Sequence, residues 1–184
     1  MAASAMPVST ADLVVIRRHL DVVDCAALHD ACARLPLQWQ PGRQGSGYDK
    51  ASVLDHLDDV IVGAAVAAIV RVLGDPQAVD GWWIVYPPGS GIAAHVDPAP
   101  VDGYAHVRAN LVVSQGRGGV FVADDFEVAL DVGDLVVFRP DVVRHAVTTV
   151  EGSARHVLSV GTIWPVEMAC DVFMRAVARR HPQA

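Results

Sequence analysis

The chain has 184 residues, 52% of them hydrophobic, enough for one buried core and too few for two comfortable domains, so residues 1–184 are expected to form a single domain. Its formal net charge of -7 argues against a general phosphate-binding surface, and no nucleic-acid partner is expected. Lys50 is the only lysine beside thirteen arginines, so a dedicated carboxylate anchor in the interior is expected to be an arginine.

Residues 13–20 read as a strand, and Asp21 is placed to cap a helix to about residue 35 with Cys25, Leu28, Cys32 and Leu35 on one stripe. The three cysteines, Cys25, Cys32 and Cys170, make an odd count without a CxxC, so neither a disulfide framework nor a thiolate zinc site is expected. A glycine-rich loop at 41–47 leads into a second predicted helix, 48–73, apolar nearly all round at its centre and stopped by Gly74 and Pro76. The N-terminal residues lack a basic region followed by an apolar core, and the longest apolar run, 60–70, is too short to span a bilayer. A cytoplasmic protein with no membrane partner is expected.

Near residue 80 the pattern changes from helical periodicity to short alternating runs. Strands are predicted at 82–86, 93–97, 104–114, 120–122 and 135–138, followed by a hairpin of 143–150 and 154–163. Turn signals such as PPGSG, QGRGG and EGS separate them, and this density of short strands implies a sandwich or jelly roll. A last helix, 166–180, repeats Ala169, Val172, Phe173, Ala176 and Val177 at core spacing. The expected fold class is therefore mainly β with flanking helices (α+β). Residues 1–80 form the N-terminal strand and supporting helices, 81–164 the jelly-roll core, and 165–184 the C-terminal helix on its outside.

Residues i and i+2 of a strand point to one face, so His95 and Asp97 in AAHVDP can reach a common ion. His145, on a later strand, is the expected third ligand. Two imidazoles and one carboxylate leave three positions open, an arrangement that lets iron(II) hold a chelating co-substrate and then dioxygen. His56 and Asp58 form a second HxD, but in the predicted helix two steps turn the side chains about 200° apart, so they are expected on the surface. If 151–153 is a three-residue loop, Thr149 pairs with Arg155 and His145 with Ser159. Arg155 then faces the side of His145 some 13 Å along the ladder at about 3.3 Å per residue, within reach of a five-carbon diacid held between them. In this register His156 points away.

Residues 104–114 alternate cleanly, with Ala105, Val107, Ala109, Leu111 and Val113 on one face and Tyr104, His106, Arg108, Asn110, Val112 and Ser114 on the other. Three helices need an apolar sheet face to cover, which turns the polar face towards a cavity. Arg108, Asn110 and Tyr104 are then the substrate-binding candidates, and they suggest an acidic or zwitterionic small molecule such as an amino acid; a peptide also fits.

From about 82 to 164 these residues resemble the prolyl-hydroxylase-like branch of the iron(II)/2-oxoglutarate dioxygenases. The resemblance runs through Tyr86-Pro-Pro-Gly-Ser-Gly, His95-Val-Asp97, Gly133-Asp134-Leu-Val-Val-Phe138, His145 and Arg155. It implies a double-stranded β-helix, with His95, Asp97 and His145 as metal ligands and Arg155 with Tyr86 holding 2-oxoglutarate. It also implies oxidation of an unactivated C–H bond by dioxygen, with hydroxylation the default outcome, while 2-oxoglutarate becomes succinate and carbon dioxide. Val157 departs from relatives that carry a serine two residues after the arginine, and Asp97 departs from the halogenating relatives, which vacate that ligand position. Two alternatives stand beside this reading. One is a non-catalytic cupin-like barrel that holds zinc on the same ligands; the other is an oxygenase acting on nucleobases, which the net charge disfavours.

Overall fold

The structure, a computed structural model, describes residues 12–42, 47–74 and 78–178. Part of the predicted 41–47 loop, the stop at Pro76, the end of the last helix and the side chains of Cys170 and Val177 lie outside the described residues. In chain order the elements are β1 (Leu13–Ile16), α1 (Val22–Arg34), β2 (Trp39–Pro41), β3 (Asp49–Ser52), a 3-10 turn (Leu54–His56) and α2 (Val60–Val72). They continue as β4 (Asp80–Tyr86), β5 (Ile92–His95), β6 (Tyr104–Ser114), β7 (Arg117–Gly118), β8 (Phe121–Ala123), β9 (Phe126–Val128), β10 (Leu135–Phe138), β11 (His145–Val147), β12 (Val150–Glu151), β13 (Arg155–Pro165) and α3 (Val166–Ala178). The described part is thus mainly β with three helices. No described helix is long and apolar enough to cross a membrane.

The strands form a seven-stranded sheet, β1-β10-β6-β13-β4-β3-β2, a four-stranded sheet, β5-β11-β8-β9, and a short pair, β12-β7, with every pairing antiparallel. The predicted alternation of β6 decides the layering. Ala105, Val107, Ala109, Leu111 and Val113 are buried in one cluster with Leu28 of α1, Ile69 of α2 and Phe173 of α3, so the helices cover that face of the large sheet. On the opposite face Val112, Val136 and Phe138 pack against Phe121, Ala123 and Val147 of the smaller sheet. Cys25 and Cys32 are core residues as expected, and burial pushes their thiols up to about 11 and about 12.

Residues 48–73 do not form one helix. The stretch is strand β3, a 3-10 turn and only then α2, because Asp59 accepts from the backbone N–H of Ile61 (3.0 Å) and Val62 (3.1 Å) and starts the helix there. Gly63 in the first turn lets the Leu57 carbonyl come within 2.4 Å of where a Cβ would stand. The predicted strand 13–20 stops at Ile16, because the next residues serve Asp134. That buried carboxylate accepts from Arg17 Nη1 (2.6 Å) and from the backbone N–H of Arg18 (2.9 Å) and Asp131 (2.9 Å). Gly133 beside it takes φ +90°, and a Cβ there would strike the Leu20 carbonyl at 2.1 Å. The Gly-Asp pair is therefore a structural junction between β1 and β10.

His156 turns to the helix face, as the sequence predicts, stacking on Trp83 (5.5 Å between centroids) and meeting His29 edge-on (4.6 Å). Burial first, then the neighbouring His29, lowers its pKa to about 4. The unfolded chain takes up a proton near 6.5 that the folded chain refuses, so this contribution is complete above about 6.5 and is lost as pH falls towards about 4. Urea midpoints measured from pH about 7 to about 4.5 are expected to fall for the wild type, and to fall less for His156→Gln.

Candidate functional site

The smaller sheet brings the histidines together. β5 and β11 are neighbours with His95 directly opposite His145, and the ring centroids are 4.3 Å apart. Asp97 was expected inside the same strand as His95, but β5 ends at His95 and the Asp97 backbone N–H donates to the Pro140 carbonyl at 2.7 Å. Its carboxylate still comes within 3.5 Å of His95 Nε2. One ligand atom from each of His95, Asp97 and His145 lies within 4.8 Å of the others, and no other group of three His, Cys, Asp or Glu does so among the described residues. His56 and Asp58 are not brought to such a site.

The imidazoles are oriented for the task. His95 Nδ1 lies 2.8 Å from the Ala93 carbonyl and His145 Nδ1 lies 3.0 Å from the Val143 carbonyl, so each Nδ1–H donates to backbone and each Nε2 keeps its lone pair. His145 is buried against Phe138 (5.0 Å) and Phe121 (6.4 Å), and burial lowers its pKa, which favours the neutral ring that a metal needs. A metal ion fits this donor set.

The triad opens on a cavity of ≈ 420 Å³ between the sheets. Its far wall is built from cross-strand rows of the large sheet. Tyr86 stands opposite Arg155, Ile84 opposite Val157, Trp82 opposite Ser159, and Asp80 opposite Gly161, while Asn110 and Arg108 of β6 extend the last two rows; Asp80, Trp82, Ile84, Tyr86, Ser159, Asn110 and Arg108 line the cavity, and Arg155 lies buried behind Tyr86 rather than in its lining.

The predicted hairpin register is corrected here. Thr149 does not pair with Arg155, nor His145 with Ser159: β11 pairs with β5 and β8, whereas β13 pairs with β4 and β6. The chain crosses between sheets after Val147, and residues 150–151 pair with β7 instead. Arg155 nevertheless faces the interior in the row of Tyr86, with its guanidinium 6.0 Å from that ring. It is 3% exposed, Nη1 donates to the Gly119 carbonyl, and Nε has no partner. No acidic side chain pairs with it among the described residues, and burial works against its charge. Burial likewise raises the pKa of Tyr86, keeping its hydroxyl protonated as a donor.

Of the substrate-binding candidates, Arg108 and Asn110 line the cavity, whereas Tyr104 is 45% exposed outside its wall. Arg108 is engaged within the protein, donating to Ser159 Oγ (2.8 Å) and Asp80 Oδ2 (2.9 Å). Asp80, Ser159, His106 and Lys50 were not singled out as site residues. Extending the Trp82-Ile84-Tyr86 alternation back by two would have found Asp80.

No protein-family model and no curated protein matches the chain. Solved structures do. HygX from Streptomyces hygroscopicus, with nickel and 2-oxoglutarate bound, aligns with TM-score 0.63 at 13% identity over 84% of this chain and 83% of that one. An oxidoreductase of the 2OG-Fe(II) oxygenase family from Burkholderia pseudomallei gives 0.62 at 19% identity, covering 82% and 84%. A Pseudomonas putida prolyl-4-hydroxylase gives 0.59 at 24% identity, covering 82% and 90%. What these likenesses establish is a shared fold.

Proposed function

We propose that this chain is a non-haem iron(II) and 2-oxoglutarate-dependent oxygenase built on a double-stranded β-helix. His95, Asp97 and His145 hold the metal, and Arg155 with Tyr86 holds the co-substrate. The carrying observation is that one interior holds both a two-histidine, one-carboxylate cluster and a buried guanidinium with no acidic partner among the described residues. A carboxylate would replace the Gly119 carbonyl and satisfy Nε, giving Arg155 the bidentate pairing it lacks, with the protonated Tyr86 hydroxyl as a further donor. The shared fold, whose solved examples include one with 2-oxoglutarate bound, supports the same reading.

Iron(II) and 2-oxoglutarate, when bound, supply the dioxygen chemistry that oxidises an unactivated C–H bond as 2-oxoglutarate becomes succinate and carbon dioxide. The residues of the chain position and enclose. Phe121 and Phe138 keep water from the back of His145, and the Nδ1 hydrogen bonds fix both imidazoles. Arg108 and Asn110 line the space left for the substrate, an amino-acid-like molecule or peptide whose C–H is hydroxylated. Tyr104 stands further out on the same face of β6 as a contact for a longer substrate. Anaerobic titration of the metal-free protein with iron(II) and 2-oxoglutarate tests the reading. A visible charge-transfer band that needs both additions is expected; no band, from a protein that binds added zinc(II) instead, would overturn it in favour of a binding protein.

A further inference from the structure

The cavity wall farthest from Arg155 holds two buried acceptors that no described residue satisfies. Asp80 lies six residues along β4 from Tyr86, about 20 Å at about 3.3 Å per residue, so this wall belongs to the end of the cavity that a co-substrate held by Arg155 leaves open. Arg108 is consumed there: besides its bonds to Ser159 and Asp80, its Nη2 lies 3.3 Å from His106 Nε2. Asp80 Oδ1 and Asn110 Oδ1 are buried and have no donor among the described residues, while no buried donor of Arg108, Ser159 or His106 is left without a partner there. Gly161 permits the convergence. A Cβ there would stand 2.6 and 2.8 Å from the two Asp80 oxygens and 2.8 Å from His106 Nε2, so β13 is reduced to bare backbone where the acceptors gather.

An incoming carboxylate would meet a guanidinium already neutralised and a carboxylate of its own sign, with the Lys50 ammonium of the same cavity held over the Trp82 ring at 4.0 Å. An incoming N–H or O–H would meet acceptors that no described residue of the protein supplies with a donor. A site with unsatisfied polar groups discriminates strongly for the ligand that completes them. We propose that this wall is the specificity-determining subsite for a hydrogen-bond donor on the substrate, an amine or hydroxyl, with Asp80 and Asn110 receiving it, and that it rejects a carboxylate. In an amino-acid-like substrate, the amine end therefore lies here. The proposal rests on the oxygenase reading only in naming the occupant as the molecule oxidised.

Three probes built on one six-membered ring test it by saturation-transfer NMR on the full chain with zinc(II) and 2-oxoglutarate: cyclohexylamine, trans-1,2-cyclohexanediol and cyclohexanecarboxylate. The amine and the diol are expected to give signals at least about threefold above the carboxylate. Asp80→Asn releases Arg108 and is expected to reverse the order, whereas Asn110→Ala is expected to lower the amine and diol signals without a gain by the carboxylate; thermal melts check that both variants fold. A carboxylate signal equal to or above the others in the wild type, an unchanged order in both variants, or no signal from any probe overturns the subsite. The iron(II)/2-oxoglutarate band, recorded on parallel samples, separates the two claims. Its absence beside the expected order sinks the oxygenase reading alone, and its presence beside a carboxylate preference sinks the subsite alone.

Discussion

Alanine at His95, Asp97 or His145 is expected to lower metal affinity by more than about 100-fold, and with it any metal-dependent turnover. Losing a group that merely supports a ligand typically costs about 10–100-fold, so losing one of three ligands should exceed that range. The three positions are predicted to differ in what else they cost. His145 is buried between two phenylalanines, so its removal also leaves a void, whereas the more exposed Asp97 contributes to its surroundings mainly through its backbone bond to Pro140, which alanine keeps. Equilibrium dialysis against iron(II) and melting with and without metal read both effects. The wild type is expected to melt higher with metal, and the Asp97→Ala protein to melt near the metal-free wild-type value at either condition. Metal affinity within a few-fold of wild type in Asp97→Ala would remove this residue from the site.

Arg155→Ala is expected to weaken 2-oxoglutarate binding by about 2–4 kcal/mol, roughly 30- to 1,000-fold, with metal affinity unchanged. The size follows from burial: the guanidinium is 3% exposed, so its interaction with an anion is little screened by water. Arg155→Lys retains the charge but not the paired donors, and is expected to fall between wild type and alanine. Tyr86→Phe, which deletes one donor, should cost about 1 kcal/mol, roughly fivefold. Titrating the charge-transfer band against 2-oxoglutarate in the four proteins orders them. Equal affinities in wild type and Arg155→Ala would mean that the guanidinium serves only the Gly119 carbonyl.

Local pattern made several of these residues visible before any fold was known. The period-2 alternation of 104–114 named both faces of β6 correctly as far as Val112, because a strand that divides an apolar helix layer from a polar cavity must alternate; a register shift beside His156 then brings Ser114, expected on the cavity face, to His156 on the helix face. His95, Asp97 and His145 were visible as donor types in a turn-rich β region, even though Asp97 proved to lie beyond the end of its strand. The 48–73 stretch departs from its predicted single helix for a local reason too: its apolar second half reads as helix, and nothing in the pattern before it marks Asp59 as the cap that starts it.

Strand partnership was not a local property. A three-residue loop at 151–153 makes a hairpin the economical expectation, yet the chain uses that segment to pass from one sheet to the other, and Arg155 gains Tyr86, nearly seventy residues earlier, as its neighbour. The same long-range register sets Asp80 against Gly161 and Arg108. Sequence by itself determined the kinds of chemical group present and the faces they could share within one strand. Tertiary structure alone decided which faces meet, that Arg108 is spent on Asp80, and that Arg155 is buried without an acid. The reason is physical: side-chain alternation is dictated by the backbone of each strand, whereas register between distant strands is chosen by whatever pairing buries the most apolar surface on both sheets at once.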